Sequence, residues 1–128
     1  MKLRIQGNSL RLRLTVAEVN EFGRLGHISD SVNFGSDDSS RLIYSLVSSE
    51  ADDRLRTYFH ENRITVVVPN HISNSWVEGN GVGFSSEHDP AEDERSFILV
   101  EKDFACLKKR PGEDESDKYP NPDAKGAC

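Results

Sequence analysis

Two short stretches near the start of the chain alternate without a break, and that alternation constrains the fold more than any other feature. In Lys2 to Gln6 the residues Leu3 and Ile5 share one parity and Lys2, Arg4 and Gln6 the other, and Leu10 to Leu14 repeats the pattern with Arg11 and Arg13 opposite. A period of two is the repeat of a β-strand, and Gly7-Asn8-Ser9 between the stretches can supply the positive φ of a tight turn. The opening therefore reads as an antiparallel hairpin with an aliphatic side and a basic side. Burying unpaired guanidinium groups costs far more than burying leucine, so the aliphatic side is expected to be the core and the basic side to face water.

Thr15 opens a helix. Its hydroxyl can accept from a backbone N–H three residues on while Glu18 reaches back, a capping box, and Val16, Val19 and Phe22 then fall along one stripe before Gly26 stops the run. Alternation returns at His27, with Ile28, Val32 and Phe34 on one parity, and again from Arg41 to Val47, where both parities are apolar enough to be covered. Leu55, Thr57 and Phe59 alternate with Arg54, Arg56 and Tyr58. The turn Glu61-Asn62-Arg63 leads into the β-branched run Ile64 to Val68, ended by Pro69. Asn70 is placed to cap a short helix carrying Ile72 and Trp76, with Gly79 at its end. Val82 and Phe84 resume the strand pattern, an acidic loop runs from Glu87 to Glu94, and Phe97 to Phe104 is the longest apolar strand, continuing to Leu107.

The order is strand, strand, helix, strand, strand, and then the same again. Corresponding positions lie about 54 residues apart, so that Leu14 maps near Val68 and Phe22 onto Trp76, a pattern that suggests internal duplication. The expected fold class is α+β, a mainly antiparallel sheet or an eight-stranded barrel from two β-β-α-β-β units. Residues 1–107 are expected to form a single domain and 108–128 a flexible, charged, Pro-containing C-terminal tail, in which Tyr119-Pro120-Asn121-Pro122 is a stiff insert suited to docking Tyr119 on the body.

The chain has net charge −6, with no acid before Glu18, which disfavours nucleic acid as a partner while leaving the hairpin locally basic. No apolar run approaches the roughly 20 residues of a membrane span, and the first residues lack a signal peptide's unbroken apolar stretch, which points to a cytoplasmic protein. Two cysteines, Cys106 and Cys128, are too few for a disulfide scaffold and are read as reduced thiols. His27, His60, His71 and His88 are scattered, with no Cys-x-x-Cys or His-x-His pair, and the common nucleotide-binding and hydrolase motifs do not occur, so no cofactor is expected.

Two constellations remain as candidates for chemistry. Lys2, Arg4, Arg11 and Arg13 share one side of the hairpin and, with Arg56, are candidates to bind an anionic small molecule or an acidic protein surface. Glu101 and Asp103, two apart on a strand, project from one side and are candidates to hold a divalent metal, while Lys102 points the other way. The structural alternative for those acids is an ion pair with the arginine face.

The opening MKLRIQGNSLRLRLT, the late VEKDFACL, and DKYPNP followed by Cys128 resemble a small uncharacterised bacterial family of about this length. The resemblance covers nearly the whole chain and implies a free-standing cytosolic bacterial protein; it carries no catalytic residue across. The arginines and late acids are also similar in arrangement, though not in motif, to the charged bore of triphosphate tunnel enzymes, whose Glu-x-Glu-x-Lys strand is here Lys2-Leu3-Arg4-Ile5-Gln6. The first expectation is thus a non-catalytic binding module. Its rivals are a metal-dependent enzyme acting on a phosphorylated small molecule and a structural homodimer joined through strand edges.

Overall fold

In the computed structural model, which describes residues 1–86, 95–104, 117, 119 and 120, the opening alternation becomes β1 (Lys2–Gln6) and β2 (Ser9–Leu14). They pair antiparallel with Leu3 opposite Leu12 and Arg4 opposite Arg11, and Gly7 turns between them at φ 54°. Thr15 caps α1 (Val16–Leu25) with the full reciprocal capping box, and Gly26 ends it in the left-handed region at φ 78°. β3 (His27–Asn33) pairs antiparallel with β4 (Arg41–Ser49), a single 3-10 turn at Asp38–Ser40 intervening. β5 (Arg56–His60) and β6 (Arg63–Pro69) form a second tight hairpin, in which Glu61 and Asn62 both take positive φ, the two-residue turn that matches strand twist.

The second helix, α2 (Asn70–Glu78), begins one residue earlier than a capping Asn70 requires. Pro69 is still laddered to Ser49, so the strand runs directly into the helix, and Asn70 turns its side-chain oxygen to the Ser48 hydroxyl instead of to the helix amides. β7 (Gly83–Ser85) and β8 (Phe97–Lys102) complete the fold; β8 stops at Lys102, short of the expected Phe104, and the expected continuation to Leu107 lies outside the described residues.

These strands make two four-stranded sheets, ordered β1-β2-β8-β7 and β3-β4-β6-β5. Both are mixed: four of the six ladders among the described residues are antiparallel, as expected, but the strands form two sheets rather than one, and each has a parallel central pair. In sequence β5 follows β4, yet β6 takes the place beside β4; skipping a position in this way makes the central pair parallel, and β8 beside β2 does the same. The barrel is corrected as well: among the described residues no ladder joins β1 to β3 or β7 to β5, so the sheets face one another unclosed. A small eight-stranded barrel has room inside for little more than strand side chains. Here Phe22 and Trp76 also enter the core, their rings meeting edge to face at 6.3 Å. At the two seams side-chain and terminal contacts stand in for ladders: at one, Tyr44 Oη donates to the Met1 carbonyl at 3.0 Å and the Met1 ammonium to Asp30 Oδ2 at 3.3 Å, and at the other the hydroxyls of Thr57 and Ser96 lie 3.1 Å apart.

The core is the aliphatic side of the opening hairpin, Leu12 and Leu14, packed with Leu46, Val66, Val68, Ile98 and Val100 from both sheets and Val19, Phe22 and Trp76 from the helices. Both helices lie at one end of the sandwich, because α1 links the end of β2 to the start of β3 and α2 links the end of β6 to the start of β7. The tight hairpins lie at the other end, where Ile5 and Phe59 stay 59% and 72% exposed at the rim of a hollow of about 240 Å³.

The helices meet closely at Gly23, where an added methyl would stand 2.6 Å from Val77 Cγ1. On an open helix face glycine to alanine gains about 1 kcal/mol, whereas forcing a methyl into a packed contact costs about 1–3 kcal/mol. Gly23→Ala is therefore expected to lower the thermal midpoint, and adding Val77→Ala to recover part of the loss, as read by circular dichroism melts.

Candidate functional site

Because successive strand residues point to opposite sides, burying Leu12, Leu14, Ile98 and Val100 sends Arg11, Arg13, Leu99 and Glu101 to the outer side of the β1-β2-β8-β7 sheet. Lys2 and Arg4 join them from β1. The arginines face water and line no sealed bore. The antiparallel register sets Lys2 directly opposite Arg13 and Arg4 directly opposite Arg11, two like-charged cross-strand pairs side by side. Like charges so placed repel, and only solvent, salt or an acidic neighbour relieves them.

Part of that relief is internal. Arg11 Nε bonds Glu101 Oε1, and Lys2 Nζ stands 3.3 Å from Asp103 Oδ2, an ion pair without hydrogen-bond alignment. The two late acids thus sit on the same side as the bases, each next to one of them. Asp103 is 3% exposed, and its backbone ties β8 to two neighbours: its N–H donates to the Leu14 carbonyl and its carbonyl accepts from Tyr119 N–H, each at 2.8 Å. Among the described residues no three His, Cys, Asp or Glu side chains cluster as a metal site would need. Cys106, Cys128 and His88 lie outside the described residues.

Arg4 and Arg13 form no ion pair among the described residues; Arg4 Nη2 donates to Gln6 Oε1 at 3.2 Å. Beside them a shallow hollow of about 190 Å³ is lined by Arg4, Gln6 and Arg11 and by the apolar Phe97 and Leu99. Arg56 is not part of this face. It lies on the outer side of the other sheet, next to Asp52 at 3.2 Å and Asp53 at 3.6 Å.

Lys102 is the residue the sequence reading passed over. The parity that carries Ile98 and Val100 inward carries Lys102 inward too, and it is only 6% exposed. Its ammonium donates to the Gly79 carbonyl at 2.9 Å and lies over the rings of Trp76 and Tyr119 at 5.9 and 5.2 Å. α2 has no basic residue in its own last turn, so β8 supplies the positive charge that the carbonyl end of that helix favours. Burial pushes the Lys102 pKa down from its ordinary value. Tyr119, whose ring meets Phe104 edge-on at 5.6 Å, is half-buried against the core. Asp117 lies beside the start of α1, where its carbonyl accepts from Val16 N–H and its carboxylate from Ala17 N–H.

The chain is thus an α+β protein of two facing four-stranded mixed sheets with both helices at one end. No helix of the described residues is long and apolar enough to cross a membrane. By sequence it belongs to the family of unknown function DUF7009, which matches residues 1–123. No curated protein and no solved structure matches the chain.

Proposed function

We propose that this chain is a non-catalytic binding module whose basic sheet face takes an acidic polypeptide segment. The observation that carries the reading is the pair of directly opposed like charges, Lys2 with Arg13 and Arg4 with Arg11, on a solvent-facing sheet with Phe97 and Leu99 in the adjoining strand. A flat face of that kind offers cations for carboxylates and an apolar strip for the side chains between them. A cytoplasmic setting belongs to the same reading, supported by a composition with two cysteines, and a bacterial one rests on the resemblance of the opening and late motifs. So does internal duplication: exchanging the first β-β-α-β-β unit for the second turns the order of one sheet into that of the other, and it exchanges buried Leu14 with buried Val68.

The test is fluorescence anisotropy with a labelled peptide of alternating Glu and Leu. Expected is saturable binding at low salt that weakens as salt rises, and a loss on the order of 10-fold when Arg4→Ala and Arg13→Ala are combined, since each exposed charge contact contributes up to about 1 kcal/mol. Binding indifferent to salt or to the double substitution overturns the reading, as does a preference for duplex DNA over the peptide. Metal-dependent binding of tripolyphosphate, lost in Glu101→Gln with Asp103→Asn, would establish the enzyme reading instead.

A further inference from the structure

The basic sheet face has its opposite in the same chain. Residues 87–94, which link β7 to β8, carry Glu87, Asp89, Glu92, Asp93 and Glu94 and no lysine or arginine. Arg95 adjoins this run and is already engaged; set against the five carboxylates, it leaves four in excess. The face is also incompletely matched. Glu101 and Asp103 sit beside Arg11 and Lys2, whereas Arg4 and Arg13 form no ion pair among the described residues. The tail acids Glu113, Asp114 and Glu115 fit the face less well, because Lys108, Lys109 and Arg110 stand a few residues away and offset them.

Both ends of the run are fixed at the hairpin end of the sheet. Ser86 N–H donates to the Ile98 carbonyl and Phe97 N–H to the Asn8 carbonyl, each at 2.9 Å, and Asn8 Nδ2 donates to the Arg95 carbonyl at 3.2 Å. Eight residues tethered there and folded back over their own sheet reach about 14 Å at full stretch. The path along β2 from Ser9 to Arg13 is itself about 14 Å, before any rise over the side chains. A chain's own run therefore falls short of the Lys2–Arg13 pair. A run brought by another copy is free of that tether and can lie along both like-charged pairs. Each copy carries one face and one run, so a two-fold axis satisfies both at once and closes the assembly at two chains.

We propose that this chain forms a two-fold dimer in which the run 87–94 of each copy lies on the Lys2, Arg4, Arg11 and Arg13 face of the other. The dimer is joined through sheet faces, not through strand edges. It rests on the reading of that face as a site for an acidic segment, and it names the segment.

Sedimentation velocity of the whole chain from about 1 to about 200 µM tests the proposal. Salt of about 0.1 M suits it, since a Debye length of about 10 Å screens the long-range repulsion between two chains of net charge −6 far more than contacts within a few ångströms. Expected is a shift from one chain to two as concentration rises. Arg4→Ala with Arg13→Ala on the face, and Glu92→Gln, Asp93→Asn and Glu94→Gln together in the run, are each expected to weaken the dimer about 10-fold or more. Circular dichroism verifies that both variants fold. The alternating Glu and Leu peptide should dissociate the dimer, because peptide and run occupy one face. A single-chain mass at every concentration, or a dimer that survives either set of substitutions, overturns the proposal. Where that single chain still binds the peptide, the face is a site for acidic segments and only its partner is wrong; where it binds neither, both readings fall.

Discussion

Replacing Trp76 with alanine is expected to cost about 3–5 kcal/mol of folding stability, a large share of the roughly 5–15 kcal/mol available to a single domain. The indole is 4% exposed and joins three parts of the fold: it meets Phe22 of α1 at 6.3 Å and Phe84 of β7 at 5.2 Å, both edge to face, and lies beneath the Lys102 ammonium. Its Nε1–H donates to the Val82 carbonyl at 3.1 Å, but that carbonyl also accepts from Lys102 N–H at 2.9 Å, so losing the indole donor does not orphan it. The cost therefore comes chiefly from the cavity and the lost ring contacts. Trp76→Phe, which keeps an aromatic ring in the site, should cost less than half as much. Urea denaturation followed by far-ultraviolet circular dichroism reads both. A loss under about 1 kcal/mol for Trp76→Ala would show that the ring does not wedge the helices into the core.

Period-two alternation made the sheet faces legible before any coordinates: Leu12 and Leu14 are buried, while Lys2 and Arg4 are exposed. The capping box at Thr15 and Glu18 was legible for the same reason, since it depends on residues three apart and on nothing distant. Which strand lies beside which was not. The parallel pairing of β2 with β8 joins residues roughly 88 positions apart, and no local pattern in either strand names its neighbour. The unclosed seams were hidden similarly, because they follow from how much space Phe22 and Trp76 occupy once both helices come to the same end. The basic face can be read as a set of side chains, but Arg56, grouped with it by charge, lies on the other sheet: sharing a charge says nothing about sharing a sheet. Lys102 could have been found, since its parity is that of Ile98 and Val100, and a lysine on the apolar side of a strand is the departure from pattern that most often marks a built contact.

Lys102→Met is expected to change stability by less than about 1 kcal/mol, whereas Lys102→Glu should cost about 3 kcal/mol or more. Methionine keeps much of the volume of the lysine stem and gives up one hydrogen bond and two ring contacts, offset by no longer burying a charge. Glutamate puts a carboxylate where the Gly79 carbonyl oxygen and two aromatic faces all present negative charge. The two variants differ little in length, so the gap between them isolates electrostatics from packing. The pH dependence follows in sign. Burial lowers the folded-state pKa of Lys102, so in the pH range between that value and the unfolded value of about 10.4 the unfolded chain holds more protons than the folded one. Lys102 therefore withholds stability below its folded pKa and restores it as pH rises through that pKa toward about 10.4. Tyr44 and Tyr119 act in the opposite sense. Burial, aided by Asp30 and Glu18 at Tyr44 and by Asp117 at Tyr119, raises their pKa values, so the stability they contribute is full below about 10 and is lost as pH rises through the raised values. Subtracting the Lys102→Met curve from that of the unsubstituted chain cancels the tyrosines to first order. Urea midpoints taken from about pH 7 to about pH 10 should then show the unsubstituted chain gaining on the variant as pH increases. A flat difference would mean that the Lys102 ammonium is solvated in solution rather than held against α2, and a falling one that its charge is stabilised there rather than strained.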